Sequence, residues 1–262
     1  MFIDSHCHLN DPELTASFDE LAKQIENSDV DLCVDIGFTL ENSLVAVKHA
    51  EEKPWIYATV GIHPTECYSA NPDDIVFIES LAKKDKVVAI GEIGLDYHYD
   101  DTDREKQEYW FRAQIRLAKK LGMPIVIHDR EAHDDCLRIM KEEGVLAAGK
   151  EPAVPVLWHC YSGSAEMATQ LAKLGVYMSV AGPVTYKSSK KAPAVVAAIP
   201  MDRILVETDC PFLTPEPKRG EFPNTPLNVG ITCAKVAELK GVSTEEMARI
   251  TAENTKRFYR IR

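Results

Sequence analysis

Short apolar runs alternate along the chain with segments in which apolar residues return every three to four positions. The runs cover residues 2–8, 30–38, 55–63, 87–96, 124–130, 154–160, 177–181 and 204–209. Between them the helical period marks residues 13–27, 40–52, 73–83, 104–121, 132–143, 165–174, 190–198 and 226–239. A further helical pattern over 244–259 closes the chain, and Ser243 followed by Glu246 gives it a capping-box start. Strands that alternate with helices form parallel sheets, and strands covered on both faces read as near-continuous apolar runs. Eight such units predict an α/β fold: a single-domain (β/α)8 TIM barrel over residues 1–262 with an additional C-terminal helix. An open doubly wound sheet is the alternative.

Length supports closure, because such a barrel takes about 250 residues and the chain has 262. The loop 211–226 after the last run is rich in proline and reads as a functional loop. No apolar stretch reaches the ~20 residues of a membrane span, so no membrane partner is expected. Asp4, His6 and His8 interrupt the first apolar run, so no secretory signal is expected either. The seven cysteines include no Cys-x-x-Cys pair and resemble no disulfide framework. A reduced, cytoplasmic protein, monomeric, is the expectation. The net charge of −11 argues against coating nucleic acid over a broad surface. It leaves room for a phosphate substrate in a metal-filled pocket, where the bound cation inverts the local charge.

Candidate chemistry collects at the ends of the runs. In a strand, residues two apart share a face, so His6 and His8 project together while Cys7 points away. Two imidazoles on one face reach one divalent metal. Later runs end in or carry His63, Glu92, His128, His159 and the Glu207-Thr208-Asp209 triplet. Barrel enzymes build their sites from these strand ends. A buried carboxylate such as Glu92 needs a cation or donors around it. Alternation turns Cys7, Cys160 and Cys210 toward the helix layer and excludes them as ligands. His49, within a helix, and His133, at the start of one, read as surface residues; His98 is left open.

These stretches resemble the TatD family of metal-dependent deoxyribonucleases, within the amidohydrolase superfamily. The matching segments are Asp4-Ser5-His6-Cys7-His8, Gly61-Ile62-His63-Pro64, Gly91-Glu92-Ile93-Gly94-Leu95-Asp96-Tyr97, Val126-Ile127-His128-Asp129-Arg130, His159-Cys160-Tyr161-Ser162-Gly163 and the run from Glu207 to Pro215. The resemblance spans the chain and departs at no metal position. It implies a two-metal centre in which His6, His8 and Asp209 hold one ion, His128 and His159 hold the other, and Glu92 bridges them. It implies DNA as substrate, cleaved at phosphodiester bonds, often as a 3′→5′ exonuclease. It leaves the metal as Mg, Mn or Zn.

Residue chemistry is consistent with that reading. Two ions about 4 Å apart clamp the attacking and leaving oxygens of an in-line displacement and activate a water. Asp209 is placed to take the water's proton, making it and Glu92 the catalytic carboxylates. Glu207, two residues deeper on the same face, would support a ligand from behind. His63 and Arg130 are candidates for binding the substrate phosphate, the guanidinium fork being suited to it. Lys187, Lys190, Lys191, Lys218 and Arg219 flank the same end of the barrel. The alternatives are hydrolysis of a carbonyl substrate (a lactone, cyclic amide or aminoacyl-tRNA ester) and a non-catalytic metal-binding barrel. Many carbonyl hydrolases bridge their metals with a lysine on the fourth strand, and residues 87–96 contain none.

Overall fold

Valine and isoleucine crowd the short runs, and β-branched residues suit a pleated sheet that is covered on both faces. In the computed structural model, which describes residues 1–99 and 103–262, the runs form β1 Phe2–Cys7, β2 Val30–Ile36, β3 Ile56–Val60, β4 Val87–Asp96, β5 Ile125–Arg130, β6 Val156–Trp158, β7 Tyr177–Val180 and β8 Ile204–Val206. Helices follow them in order: α1 Pro12–Thr15, α2 Phe18–Glu26, α3 Leu40–Glu52, α4 Asp74–Ala82, α5 Arg104–Leu121, α6 His133–Glu142, α7 Ala165–Lys173, α8 Ala192–Ala198, α9 Val229–Lys240 and α10 Thr244–Tyr259. Each strand pairs in parallel with the next. The ring closes without a regular ladder. The Asp209 N–H donates to His6 O (3.0 Å) and the His8 N–H to Cys210 O (2.8 Å), while the Asp4 carboxylate accepts from the Thr208 N–H and hydroxyl. Eight parallel strands with alternating helices and one extra helix therefore make a nearly closed single-domain barrel. No helix among the described residues is long and apolar enough to cross a membrane.

Buried apolar side chains form two clusters. The larger joins the outward faces of the strands to the helices, for instance Ile90, Ile93 and Ile125 with Trp110, Phe111 and Ile115. The smaller takes Ile3, Leu32, Val34, Val126, Leu157 and Leu205 from the opposite strand faces, and Phe258, Tyr259 and Ile261 from the chain end. It fills the lower lumen. The Tyr259 hydroxyl donates to Ser5 O at 2.9 Å, so the C-terminal segment plugs the bottom of the barrel.

Differences from the sequence reading are local. The first helical pattern divides into α1 and α2, because Ser17, with φ −119° and ψ 18°, leaves helical geometry between them. Six runs extend past the observed strands; in three of these, Asp209 (φ 56°) and Cys160 (φ 41°) turn into left-handed backbone and His63 starts a turn of 3₁₀ helix. Ser243 does cap α10, accepting the Glu246 N–H at 3.1 Å. The reciprocal half of the capping box is replaced by pairing of the Glu246 carboxylate with Arg249. His49 is buried rather than at the surface: its Nδ1 lies 2.8 Å from Asp35 Oδ2 and its ring stacks on Phe18 at 3.7 Å. His133 is half-buried, its Nδ1 against Asp129 Oδ2.

Candidate metal centre

The mouth-facing residues depend on a change of strand parity. Ile3 faces the lower lumen, and three residues later His6 faces the mouth. An odd separation on one face requires an irregularity, and the β1–β2 pairing shifts register between Asp4 and Cys7. The same occurs in β4, where Ala89 faces the lumen, Glu92 the mouth, and the register shifts between Ile90 and Ile93. Apolar floor and polar mouth thus coexist on one strand.

Four donor atoms converge first. His6 Nε2 and His8 Nε2 are 3.3 Å apart. Each stands 3.5 Å from Asp209 Oδ1, and Glu92 Oε2 lies 3.4 Å from His6 and 3.6 Å from His8. Ligands at about 2.0–2.1 Å around one tetrahedral ion stand about 3.4 Å from each other. The set has that spacing. The other oxygen of Glu92, Oε1, faces a second pair: His159 Nε2 at 2.6 Å and His128 Nδ1 at 2.7 Å. One carboxylate therefore serves two imidazole pairs, with one oxygen toward each. His6 and His159 stack in parallel at 3.9 Å, which two imidazolium rings would resist, and the buried His6 Nδ1 has no hydrogen-bond partner. Neutral, ligating imidazoles suit the stack, and the spacing of the four donor atoms fits a divalent metal.

Carboxylates hold the rings from behind. Glu207, fully buried, accepts the Cys160 N–H at 2.7 Å and lies 3.4 Å from His159 Nδ1. Asp96 Oδ2 stands 3.0 Å from His128 Nε2. The sequence reading overlooked Asp96 in this role, although it falls on the mouth-facing face with Glu92, four residues earlier. His8 Nδ1 donates to Ile36 O at 2.9 Å, which fixes its tautomer.

Charge in the pocket follows from these contacts. Burial opposes ionisation of Glu92, but His159, His6 and His128 hold its carboxyl well below the usual range. Burial likewise opposes the Asp209 anion, and His8 and its neighbours keep it ionised. Burial opposes the His8 cation, but Asp209 and Glu92 raise it to about 9. His128 and His159 rise against burial too, through Asp96 and Glu92 and through Glu92 and Glu207. His63 goes the other way, to about 3, by burial and the neighbouring His128. It is therefore neutral. Its Nδ1 accepts the Thr65 N–H at 3.2 Å, which leaves the proton on Nε2, 3.8 Å from Glu92 Oε1.

These side chains line a cavity of about 670 Å³ together with Arg130, Tyr99, Phe212 and Leu213. Arg130 is exposed and forms no ion pair among the described residues. Glu131 is taken by His98 and Asp129 by His133. Its guanidinium lies 5.8 Å from the Tyr99 ring centroid. Lys187, Lys190, Lys191, Lys218 and Arg219 do not line the cavity; Lys218 is held by Asn228 and Arg219 rests on Tyr186. Cys7 and Cys210 lie in the outer core, as alternation expects. With Asp4 they form a further compact group of metal-type donors, but Asp4 is occupied by Thr208 and burial keeps both thiols protonated. Cys160 departs from the expectation. Its left-handed backbone turns it onto the cavity wall, and burial keeps its thiol neutral.

A parallel barrel with imidazoles and carboxylates gathered at its C-terminal mouth is the architecture of metal-dependent hydrolases. The family model described as TatD-related DNase matches residues 3–260, and the chain belongs to that family. It is 43% identical over 261 residues to YabD of Bacillus subtilis strain 168, an uncharacterized metal-dependent hydrolase, with 100% of both chains covered. It is 34% identical to YcfH of Escherichia coli K12, of the same description, over 99% of this chain and 96% of that one. The crystal structure of YjjV, a TatD homologue from Escherichia coli K12, superposes with a TM-score of 0.90 at 27% identity, covering 100% of this chain and 98% of that one. The protein is a metal-dependent hydrolase of the TatD family.

Proposed function

We propose that the protein hydrolyses phosphodiester bonds of DNA, as a 3′→5′ exonuclease, with two divalent ions at its mouth. The division of the two Glu92 oxygens between the His6–His8 and His128–His159 pairs carries this reading. The family's description as DNases supports the substrate. His6, His8, Asp209 and Glu92 would hold one ion; His128, His159 and Glu92 the other. Bound there, the ions supply Lewis acidity to the phosphoryl oxygens and lower the pKa of water. Their identity is left among Mg, Mn and Zn by a mixed imidazole and carboxylate donor set.

The chain's own residues supply the rest. Asp209 turns Oδ1 toward His6 and His8, leaving Oδ2 to accept the attacking water's proton. His63 offers an Nε2–H donor to a non-bridging oxygen without adding charge. Arg130, exposed where it lines the cavity, offers a fork to phosphate. A guanidinium with no carboxylate partner among the described residues favours an anionic substrate over a neutral ester. The test is a digest of end-labelled single-stranded DNA with Mg, Mn or Zn added in turn. A ladder advancing from the 3′ end is expected, together with a loss of about 10²–10³-fold in Arg130→Lys at unchanged metal content. Intact DNA under every metal, alongside turnover of a lactone or neutral ester, would overturn the reading.

A further inference from the structure

The loop after β8 presents an exposed aromatic ring within a few residues of Asp209. Phe212 is 49% exposed and Phe222 58% exposed. Their ring centroids lie 6.4 Å apart at a tilt of 40°. Leaving about half of a phenylalanine exposed forgoes part of the gain from burying it, and such rings on a rigid support mark a binding surface.

This support is rigid. The Phe212 N–H donates to Asp209 O at 3.1 Å, tying the ring's backbone to the proposed proton acceptor. Asn224 Nδ2 donates to Phe212 O at 2.7 Å and to Thr208 O at 3.2 Å. Behind the next residue, Gly182 leaves room for Leu213 O, where a Cβ would stand 1.9 Å from it. The backbone beneath Phe212 is thus fixed from three directions.

Charge surrounds the aromatic face. Phe212 lines the same cavity as His63 and Arg130. In the same loop, Arg219 lies over the Tyr186 ring at 4.1 Å, and the Tyr186 hydroxyl donates to Thr214 O at 3.0 Å. Lys187, Lys190 and Lys191 follow Tyr186 directly and are exposed. Exposed aromatic rings with cations nearby match a polynucleotide strand, which alternates flat bases with phosphates. A membrane surface fits less well in a protein of net charge −11.

We infer that Phe212 and Phe222 form a base-stacking platform, on which the nucleotides next to the scissile phosphate lay their bases. The inference rests on the DNA-hydrolase reading above and names how that site grips the strand. Stacking needs a π-face but no particular base, so the platform sets a demand for the presence of a base, with little preference among bases. Phe212 positions substrate and takes no part in the chemistry.

The experiment uses full-length metal-loaded protein and a short phosphorothioate oligonucleotide with 2-aminopurine near its 3′ end. Wild type is expected to quench the fluorophore on binding. Phe212→Ala should lose the quench and raise Kd by about 5- to 100-fold, the range of one stacked base, with metal content unchanged; Phe212→Trp should restore both. An oligonucleotide abasic at that position should bind wild type as weakly as Phe212→Ala does, and the two losses should not add. Equal binding by wild type and Phe212→Ala, with DNA still cleaved, would overturn the platform and leave the hydrolase reading standing. Wild type that neither binds nor cleaves DNA would overturn both.

Discussion

Glu207 is fully buried, and its Oε2 finds no hydrogen-bond partner among the described residues. Keeping such a carboxylate is unfavourable unless it serves the ring beside it. Its other oxygen holds the Cys160 N–H and faces His159 Nδ1, so it sets the direction in which Nε2 points. Glu207→Gln should weaken metal binding by about 10–100-fold, as loss of such supporting carboxylates does. Metal content after graded chelator exposure measures this, and undiminished retention would leave Glu207 a role in the Cys160 turn alone. A second prediction follows from the imidazoles themselves. His8 rises to about 9, against burial, through Asp209 and Glu92, and His128 and His159 rise with it. His8 therefore holds a proton near neutrality, and ligation at the proposed site must expel it. Apparent metal affinity should climb as pH rises from the ordinary value of 6.5 toward about 9, with proton release on loading at neutral pH. Calorimetry in buffers of different ionisation heat checks it. A flat pH dependence across that interval would contradict the pairing.

At the scale of elements, the mouth owes its geometry to β4 and β5. Gly94 has φ 150°, and a Cβ there would stand 1.9 Å from His128 O. No side chain fits without moving the backbone that carries His128. Gly94→Ala should destabilise the fold by about 2 kcal/mol or more and lower metal content, read by thermal unfolding and metal analysis. A soluble variant with full metal and wild-type stability would show that β5 can shift without cost. Some of this was readable from sequence. His6 and His8 announced themselves by their spacing of two, and the extents of α3, α5 and α10 follow directly from their periodicity. The parity change within β1 and β4 was not readable, because a one-residue register shift leaves the apolar pattern of Ile3 to His8 unchanged. His49 was misread despite an available signal. It lies three residues after the buried Ala46, on the core side of α3, and Asp35 at the end of β2 supplies its partner. Asp96 was visible as a strand-end carboxylate, but its contact with His128 depends on how β4 and β5 align. Phe212 gave no signal in isolation; only its exposure on a fixed loop distinguishes it.

The whole molecule separates its two ends. The proposed metal-binding side chains, the cavity and Arg130 lie at the C-terminal mouth, while α10 and the residues after it close the opposite end with Phe258, Tyr259 and Ile261. Function and stability divide in this way in such barrels. Phe258 is fully buried, its ring 5.4 Å from Tyr177 and 4.6 Å from Tyr259. This plug packs against an apolar layer of Leu32, Val34, Val126, Leu157 and Leu205 on the lower strand faces. Phe258→Ala should therefore lower stability by about 3–5 kcal/mol, a fall in midpoint of roughly 10 °C for a chain of this size. Metal affinity and DNA cleavage, measured well below the new midpoint, should stay at wild-type values. Tyr259→Phe should be milder, at about 1 kcal/mol, because it deletes one hydrogen bond to Ser5 O and keeps the packing. Ser5 lies within the register shift that turns His6 toward the mouth. A Tyr259→Phe variant that lost metal in proportion to stability would mean that the C-terminal plug holds this shift in place, and that the two ends are not independent.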